Sequence, residues 1–128
     1  MSTRISIILD AGTLSATLDD SPTARSVTAE LPLQGVVSRW GEEIYFSIPV
    51  HAGEAPDARQ DMAVGEIGYW PAGPALCIFF GPTPASVGEE PRAYSNVNPL
   101  GRIDGDKEVA RALLGTAKDG QSIRVIGC

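Results

Sequence analysis

Glycine and proline interrupt this chain at short intervals along almost its whole length. Its 128 residues include 14 glycines and 10 prolines, which are dispersed and not gathered into a linker or a repeat. The stretches between them are short, and several alternate between apolar and polar residues, which is the two-residue period of a β-strand. A chain cut this often by turn-forming residues leaves little room for long helices. We therefore expect many short strands joined by turns.

Eight segments have the pattern of a strand. They are residues 4–9, 13–18, 36–40, 44–48, 66–70, 75–80, 100–103 and 122–126. Short turn sequences at 10–12 and 41–43 join two consecutive pairs of these segments, which favours hairpins. The segment 75–80 is apolar at every position, as expected for a strand with buried surface on both faces. Residues 52–63 and 81–99 are polar or rich in proline, so we interpret them as loops.

Two helices are expected between the strands. Ser21 is suited to cap a first helix and Pro22 to occupy its first position. Asp106 is suited to cap a second helix, which Gly115 ends. A long run of strands separates the two helices. This order favours a single domain over residues 1–128 that is mainly β, built as an antiparallel barrel or sandwich with capping helices.

Charge and hydropathy exclude several classes of partner. The net charge is −6 and the 10 basic residues are dispersed, whereas nucleic-acid binding needs clustered lysine and arginine. The apolar stretch at residues 5–9 is too short for a signal peptide or a membrane span. We therefore expect no nucleic acid, no membrane association and a cytoplasmic location. Cys77 in an apolar segment and Cys128 at the last position favour two free thiols.

Metal and cofactor chemistry have little support in the sequence. His51 is the sole histidine and neither cysteine belongs to a Cys-x-x-Cys pair, so no metal site is predicted. Ser47 precedes His51 by four residues but lacks the strand-turn-helix elbow of a nucleophile. Asp104 and Asp106 flank a glycine without the later ligands of a calcium loop, so helix capping explains Asp106 better. We predict no cofactor.

Four runs of sequence resemble motifs of a known family. They are residues 39–46 (RWGEEIYF), 65–71 (GEIGYWP), 75–84 (ALCIFFGPTP), and 97–98 (VN) ahead of 101–103 (GRI). With these runs the chain resembles the small bacterial and archaeal cyclophilin-like proteins, whose activity is not established, and more distantly the cyclophilin prolyl isomerases. The resemblance implies a closed eight-stranded β-barrel capped by two α-helices. It also implies a binding groove on the outer face, because the interior of such a barrel is filled.

The favoured interpretation is a binding module that takes a small molecule or an extended, proline-containing peptide. The residues expected to line its groove are Arg39, Glu42, Tyr45, Tyr69, Trp70, Phe79, Phe80 and Asn98. Large rings with polar handles beside an arginine and acidic residues are typical of a ligand groove, although such rings also pack in cores. Trp40 belongs to the same group of rings. Because several rings are expected at the surface, a homodimer is among the assemblies we consider.

The alternative is a peptidyl-prolyl cis-trans isomerase that uses Arg39. Isomerisation is slow because the barrier is about 18–20 kcal/mol, and the barrier falls when the imide nitrogen loses resonance with its carbonyl. The resemblance implies that Arg39 would donate a hydrogen bond to that nitrogen while Phe79 or Phe80 holds the proline ring. Such a contact strengthens as the peptide twists, which is the differential binding that catalysis requires.

Overall fold

Ten strands and two helices make up the computed structural model, which describes residues 2–128. In chain order they are β1 (Thr3–Leu9), β2 (Gly12–Leu18), α1 (Pro22–Ala29), β3 (Leu33–Val36), β4 (Ser38–Arg39), β5 (Glu43–Ser47), β6 (Arg59–Asp61), β7 (Glu66–Trp70), β8 (Ala75–Phe79), β9 (Arg92–Ile103), α2 (Lys107–Leu114) and β10 (Ser122–Gly127). The prediction of a mainly β chain with two helices is confirmed.

One antiparallel sheet contains all the strands. Its hydrogen-bonded path is β3-β10-β1-β2-β9-β7-β8-β5-β4, and β6 pairs with β9 beside this path. No hydrogen-bonded pairing within residues 2–128 joins the two ends of the path, so closure into a barrel stays a prediction. The end strands β3 and β4 are nevertheless neighbours in the chain, separated by Val37 alone. The backbone N–H of Val37 donates to the carbonyl of Gln121 at 2.8 Å, and the side chain of Val37 is buried, so this link between β3 and β4 is held in place.

Apolar side chains fill both faces of the central strands. The larger cluster includes Ile44 and Phe46 of β5 and Ile78 of β8. A smaller cluster on the other face contains Cys77 and Phe79 of β8, with Met62, Ala93 and Val97, and Tyr45 and Trp70 pack against it. Because successive residues of a strand point to opposite faces, the unbroken apolar run of β8 supplies both clusters.

Both helices begin where the capping residues predict. The hydroxyl of Ser21 accepts a hydrogen bond from the Ala24 N–H at 3.2 Å. The carboxylate of Asp106 accepts from the N–H groups of Glu108 and Val109 at 2.7 and 3.1 Å. These bonds satisfy donors that the first turn of a helix leaves free. Neither helix in the described chain is long and apolar enough to span a bilayer.

Two regions interpreted as loops contain strands. The three-residue β6 lies within residues 52–63, and β9 begins at Arg92, inside the region 81–99. Pro99 argued against a long strand in the sequence, because a proline has no N–H to donate to a neighbouring strand. It lies where the register of β7 against β9 shifts, opposite Gly68, and such an irregularity tolerates a residue without an N–H. The predicted strand 36–40 is also replaced by two strands, β3 and β4, so that together with β6 the structure has ten strands where the sequence pattern indicated eight.

Candidate functional site

A cavity of about 260 Å³ opens on the face of the sheet that carries the smaller apolar cluster. We call it the ring pocket, and its lining residues are Trp40, Glu43, Tyr45, Trp70, Cys77, Ala93, Tyr94 and Val97. Glu43 and Tyr45 are two positions apart in β5, so their side chains share one face. Cys77 of β8 lies opposite Tyr45 in the register, which brings the thiol to the same face. Four neighbouring strands and the residue after β4 therefore build this pocket.

Four aromatic rings stand in a continuous row along the ring pocket. Trp40 and Tyr94 meet with centroids 6.0 Å apart at 71°, and Tyr94 and Trp70 meet at 6.0 Å and 74°. Trp70 meets Tyr45 at 6.2 Å and 77°. Edge-to-face contacts of this kind are the favoured geometry for aromatic pairs, so each ring helps to orient the next. The indole N–H of Trp70 donates to the Ser95 hydroxyl at 2.7 Å, which fixes that ring further.

Glu43 is the acidic group of the ring pocket. It is only 5% exposed, and its Oε1 is the one buried side-chain nitrogen or oxygen without a hydrogen-bond partner within residues 2–128. Burial raises the pKa of this carboxyl to about 7, against the opposing effect of a hydrogen bond with the Cys77 thiol. Burial, with the adjacent Glu43 charge, raises the pKa of Cys77 well above its usual value. The Cys77 thiol therefore stays protonated at neutral pH, whereas the Glu43 carboxyl is partly protonated and partly ionised at that pH.

Two of the predicted groove residues, Tyr45 and Trp70, line the ring pocket. Tyr69 faces the larger core instead, fully buried, and its hydroxyl donates to the Val50 carbonyl at 2.6 Å. Phe79 and Phe80 are also fully buried, in the smaller and the larger cluster respectively.

Arg39 lies close to Phe80, with its guanidinium carbon 5.1 Å from the centroid of that ring. All three hydrogen bonds of its guanidinium group go to backbone carbonyls. Nε donates to Gly41 at 2.8 Å, and Nη1 donates to Gly115 and Ala117 at 2.7 and 3.0 Å. Arg39 therefore ties the end of β4 to the segment that follows α2.

Glu42 lies outside the ring pocket although it is adjacent to Glu43. Its carboxylate accepts hydrogen bonds from Arg111 of α2, with the closest oxygen at 3.2 Å from Nη2. Its side chain also packs so closely on Gly81 that a Cβ there would lie 2.6 Å from the carboxyl group. Glu42 therefore connects the turn before β5 to α2.

Asn98 is buried and fully hydrogen-bonded at a different place. Its side-chain oxygen accepts from the Ala55 N–H at 2.8 Å, and its amide donates to Gly53 at 2.9 Å and to Thr23 at 3.1 Å. It lines a separate cavity of about 290 Å³ beside Pro22 at the start of α1. Asn98 thus anchors the loop before β6.

Sequence reasoning missed Glu43, Cys77 and Tyr94 as pocket residues. The predicted hairpin at 41–43 made Glu43 look like a solvated turn residue, and the predicted loop at 81–99 hid Tyr94. Strand alternation offered a signal for Glu43. Tyr45 was expected in the groove, and the residue two positions before it in a strand lies on the same face of the sheet.

Known proteins share the fold of this chain, which is mainly β with two helices. The family model described as "Cyclophilin-like" matches residues 3–126. The chain therefore belongs to the cyclophilin-like family. It is similar to the solution structure of the hypothetical protein AF2241 from Archaeoglobus fulgidus, with 32% identity and a TM-score of 0.80 over 99% of this chain and 95% of that one. No curated protein matches the chain.

Proposed function

We propose that this protein is a binding module that holds a small organic molecule in the ring pocket. The observation that carries the proposal is the partnerless Oε1 of Glu43, buried in a cavity whose other walls are mainly apolar. A buried polar atom without a hydrogen bond costs about 1–3 kcal/mol. A ligand that donates a hydrogen bond to this oxygen removes that cost on binding. Apolar walls with a few polar groups are typical of small-molecule sites.

The size of the ring pocket limits the ligand. Its volume of about 260 Å³ lies below the roughly 300–1,000 Å³ of pockets for drug-sized molecules. Tyr94 is 72% exposed although it lines the pocket, so one wall stands at the protein surface. We therefore expect a small metabolite, or a short side group of a larger molecule that enters past Tyr94.

The protein provides its own optical probe for a binding test. Its two tryptophans, Trp40 and Trp70, both line the ring pocket, so all tryptophan fluorescence comes from this site. A screen of small amines, amides and heterocycles is expected to find compounds that change the emission and raise the melting temperature. Ligand at 100 times its Kd adds about 2.7 kcal/mol of stability. If no compound changes either signal, the proposal is rejected.

Matched variants locate any binding that the screen detects. Ala93→Leu adds a bulky side chain to a buried position of the pocket wall and is expected to block binding. Ala112→Leu makes the same change at an exposed position of α2 and is expected to bind as the wild type does. Tyr94→Ala removes an exposed wall and is expected to weaken binding with little loss of stability. Equal binding by wild type and Ala93→Leu would place the ligand outside the ring pocket.

Prolyl isomerisation is the second candidate, and the contact of Arg39 with the Phe80 ring is its support. Backbone carbonyls hold three of the five N–H donors of the Arg39 guanidinium, and Phe80 is fully buried, so a peptide would have to displace packing around Phe80 to place a proline on that ring. We expect a protease-coupled assay on Ala-Pro peptides to give rate constants equal to those in buffer. Acceleration by the wild type that Arg39→Ala abolishes would instead identify an isomerase.

A further inference from the structure

The ring pocket contains one ionisable group that becomes charged by losing a proton near neutral pH, and no basic residue lines it. Glu43 is that group, while Cys77 from β8, Tyr45 from β5 and Tyr94 from β9 are the other titratable side chains in the lining. Arg39 is next to Trp40 in the chain, but its guanidinium does not line the pocket and is hydrogen-bonded to backbone carbonyls. A buried carboxylate is stable only when it is paired or hydrogen-bonded. The pocket lacks the positive charge that would pair with Glu43.

The walls of the ring pocket favour a positive charge as well. The faces of tryptophan and tyrosine rings carry partial negative charge, and protein sites for alkylated ammonium groups are commonly built from several such rings. Here the planes of successive rings in the row are inclined at 71–77° to one another, so the four rings do not form one flat wall. The net charge of −6 also raises the local concentration of cations around the protein.

We infer that the ring pocket binds a small alkylammonium ion whose nitrogen carries at least one N–H, donated to Oε1 of Glu43. The inference rests on the proposed function and names its ligand class. The partnerless oxygen requires a donor, which a quaternary ammonium ion lacks. The alkyl groups occupy the space between the rings, where they replace water at apolar surface. The ion supplies the opposite charge that Glu43 lacks and the hydrogen bond that its Oε1 lacks.

The affinity of the ring pocket for a cation is expected to increase with pH. Because burial holds the pKa of Glu43 at about 7, part of the protein carries a neutral carboxyl at neutral pH. A cation prefers the carboxylate, so its binding releases a proton from the neutral fraction. The affinity is therefore expected to rise about tenfold between pH 6 and pH 8. A neutral ligand that accepts a hydrogen bond from the protonated carboxyl would bind better at the lower pH.

The test uses three probes of similar size with the full chain. Isopropylammonium and isopropanol have the same shape and differ in charge, and tetramethylammonium carries the charge without an N–H. Tryptophan fluorescence titrations at pH 6, 7 and 8 are expected to rank isopropylammonium at least tenfold tighter than the other two at pH 8. Glu43→Gln is expected to remove this preference and the pH dependence. Glu42→Gln, the adjacent change outside the pocket, is expected to retain both.

Several outcomes overturn the inference. Equal affinity for isopropylammonium and isopropanol, or tighter binding as the pH falls, rejects a cationic ligand. In that case the proposed function is still supported if any compound binds the wild type and does not bind Ala93→Leu. Tetramethylammonium binding as tightly as isopropylammonium rejects the N–H contact. Should Glu43→Gln fail to fold, the pH dependence of the wild type decides. Failure of every compound to bind the wild type rejects the proposed function itself.

Discussion

Protonation of Glu43 should control how the stability of the protein depends on pH. Its pKa is 4.5 as the usual value and about 7 in the folded state, because burial disfavours the charge. Because the pKa of Glu43 is higher in the folded state than in the unfolded state, protonation of this carboxyl stabilises the folded state. This contribution is complete below pH 4.5 and is lost as the pH rises through 7. The shift corresponds to about 3 kcal/mol of unfolding free energy. Glu43→Gln keeps the shape of the side chain and removes this titration.

Urea unfolding of the wild type and Glu43→Gln between pH 4 and pH 8.5 measures the effect. The free energy of unfolding of the wild type minus that of the variant is expected to fall by about 3 kcal/mol across this range. Other carboxyl groups are common to both proteins and cancel in the difference. Glu42→Gln is the matched control, and the free energy of unfolding of the wild type minus that of this variant is expected to show no such fall as the pH rises. A flat difference, or one that rises with pH, would refute the assignment of a buried, uncompensated carboxyl.

Three further substitutions test the packing that holds the site in place, each by urea or thermal unfolding. Gly101→Ala is expected to cost about 3 kcal/mol or more, since a Cβ there would lie 2.0 Å from a carbonyl oxygen of β2, whereas Gly88→Ala has nothing within 4 Å and should be neutral. Arg59→Ala leaves the buried carboxylate of Glu66 without its ion-pair partner and is expected to cost about 1–3 kcal/mol. Tyr69→Phe leaves a backbone carbonyl without a buried donor and is expected to cost about 1–2 kcal/mol. No change for Gly101→Ala, or equal changes for both glycine variants, would contradict the close pairing of β2 with β9.

Local chemistry made much of the fold predictable. Ser21 and Asp106 determine where the helices begin because their side chains accept hydrogen bonds from the first turn, a contact within three residues along the chain. The β1–β2 hairpin depends on an equally local turn at 10–12. By contrast, β6 depends on pairing with β9 across more than thirty residues of sequence, from Arg59 to Val97. No pattern within three residues indicates such a partner, so the region resembled a loop.

The candidate site was only partly predictable for a related reason. Tyr45 and Trp70 were expected in a groove because they are large rings with polar handles, and both line the ring pocket. Glu42 and Glu43 have the same side chain, and the register of β5 against β8 determines which of them is buried. Glu43 lies opposite Phe79 in that register, whereas Glu42 lies in the turn before β5. The sequence shows that side chains alternate between the two faces of β5, but only the pairing of β5 with β8 shows which residues lie on which face.

The two shortest strands of the main path occupy its ends, and this limits how copies of the protein can associate. β3 has four residues and β4 has two, and Val37 links them directly. A strand from another molecule needs a long row of free N–H and C=O groups in order to extend a sheet. The two ends offer only brief rows that already adjoin each other in the chain. Growth of fibrils by strand addition at these ends is therefore disfavoured.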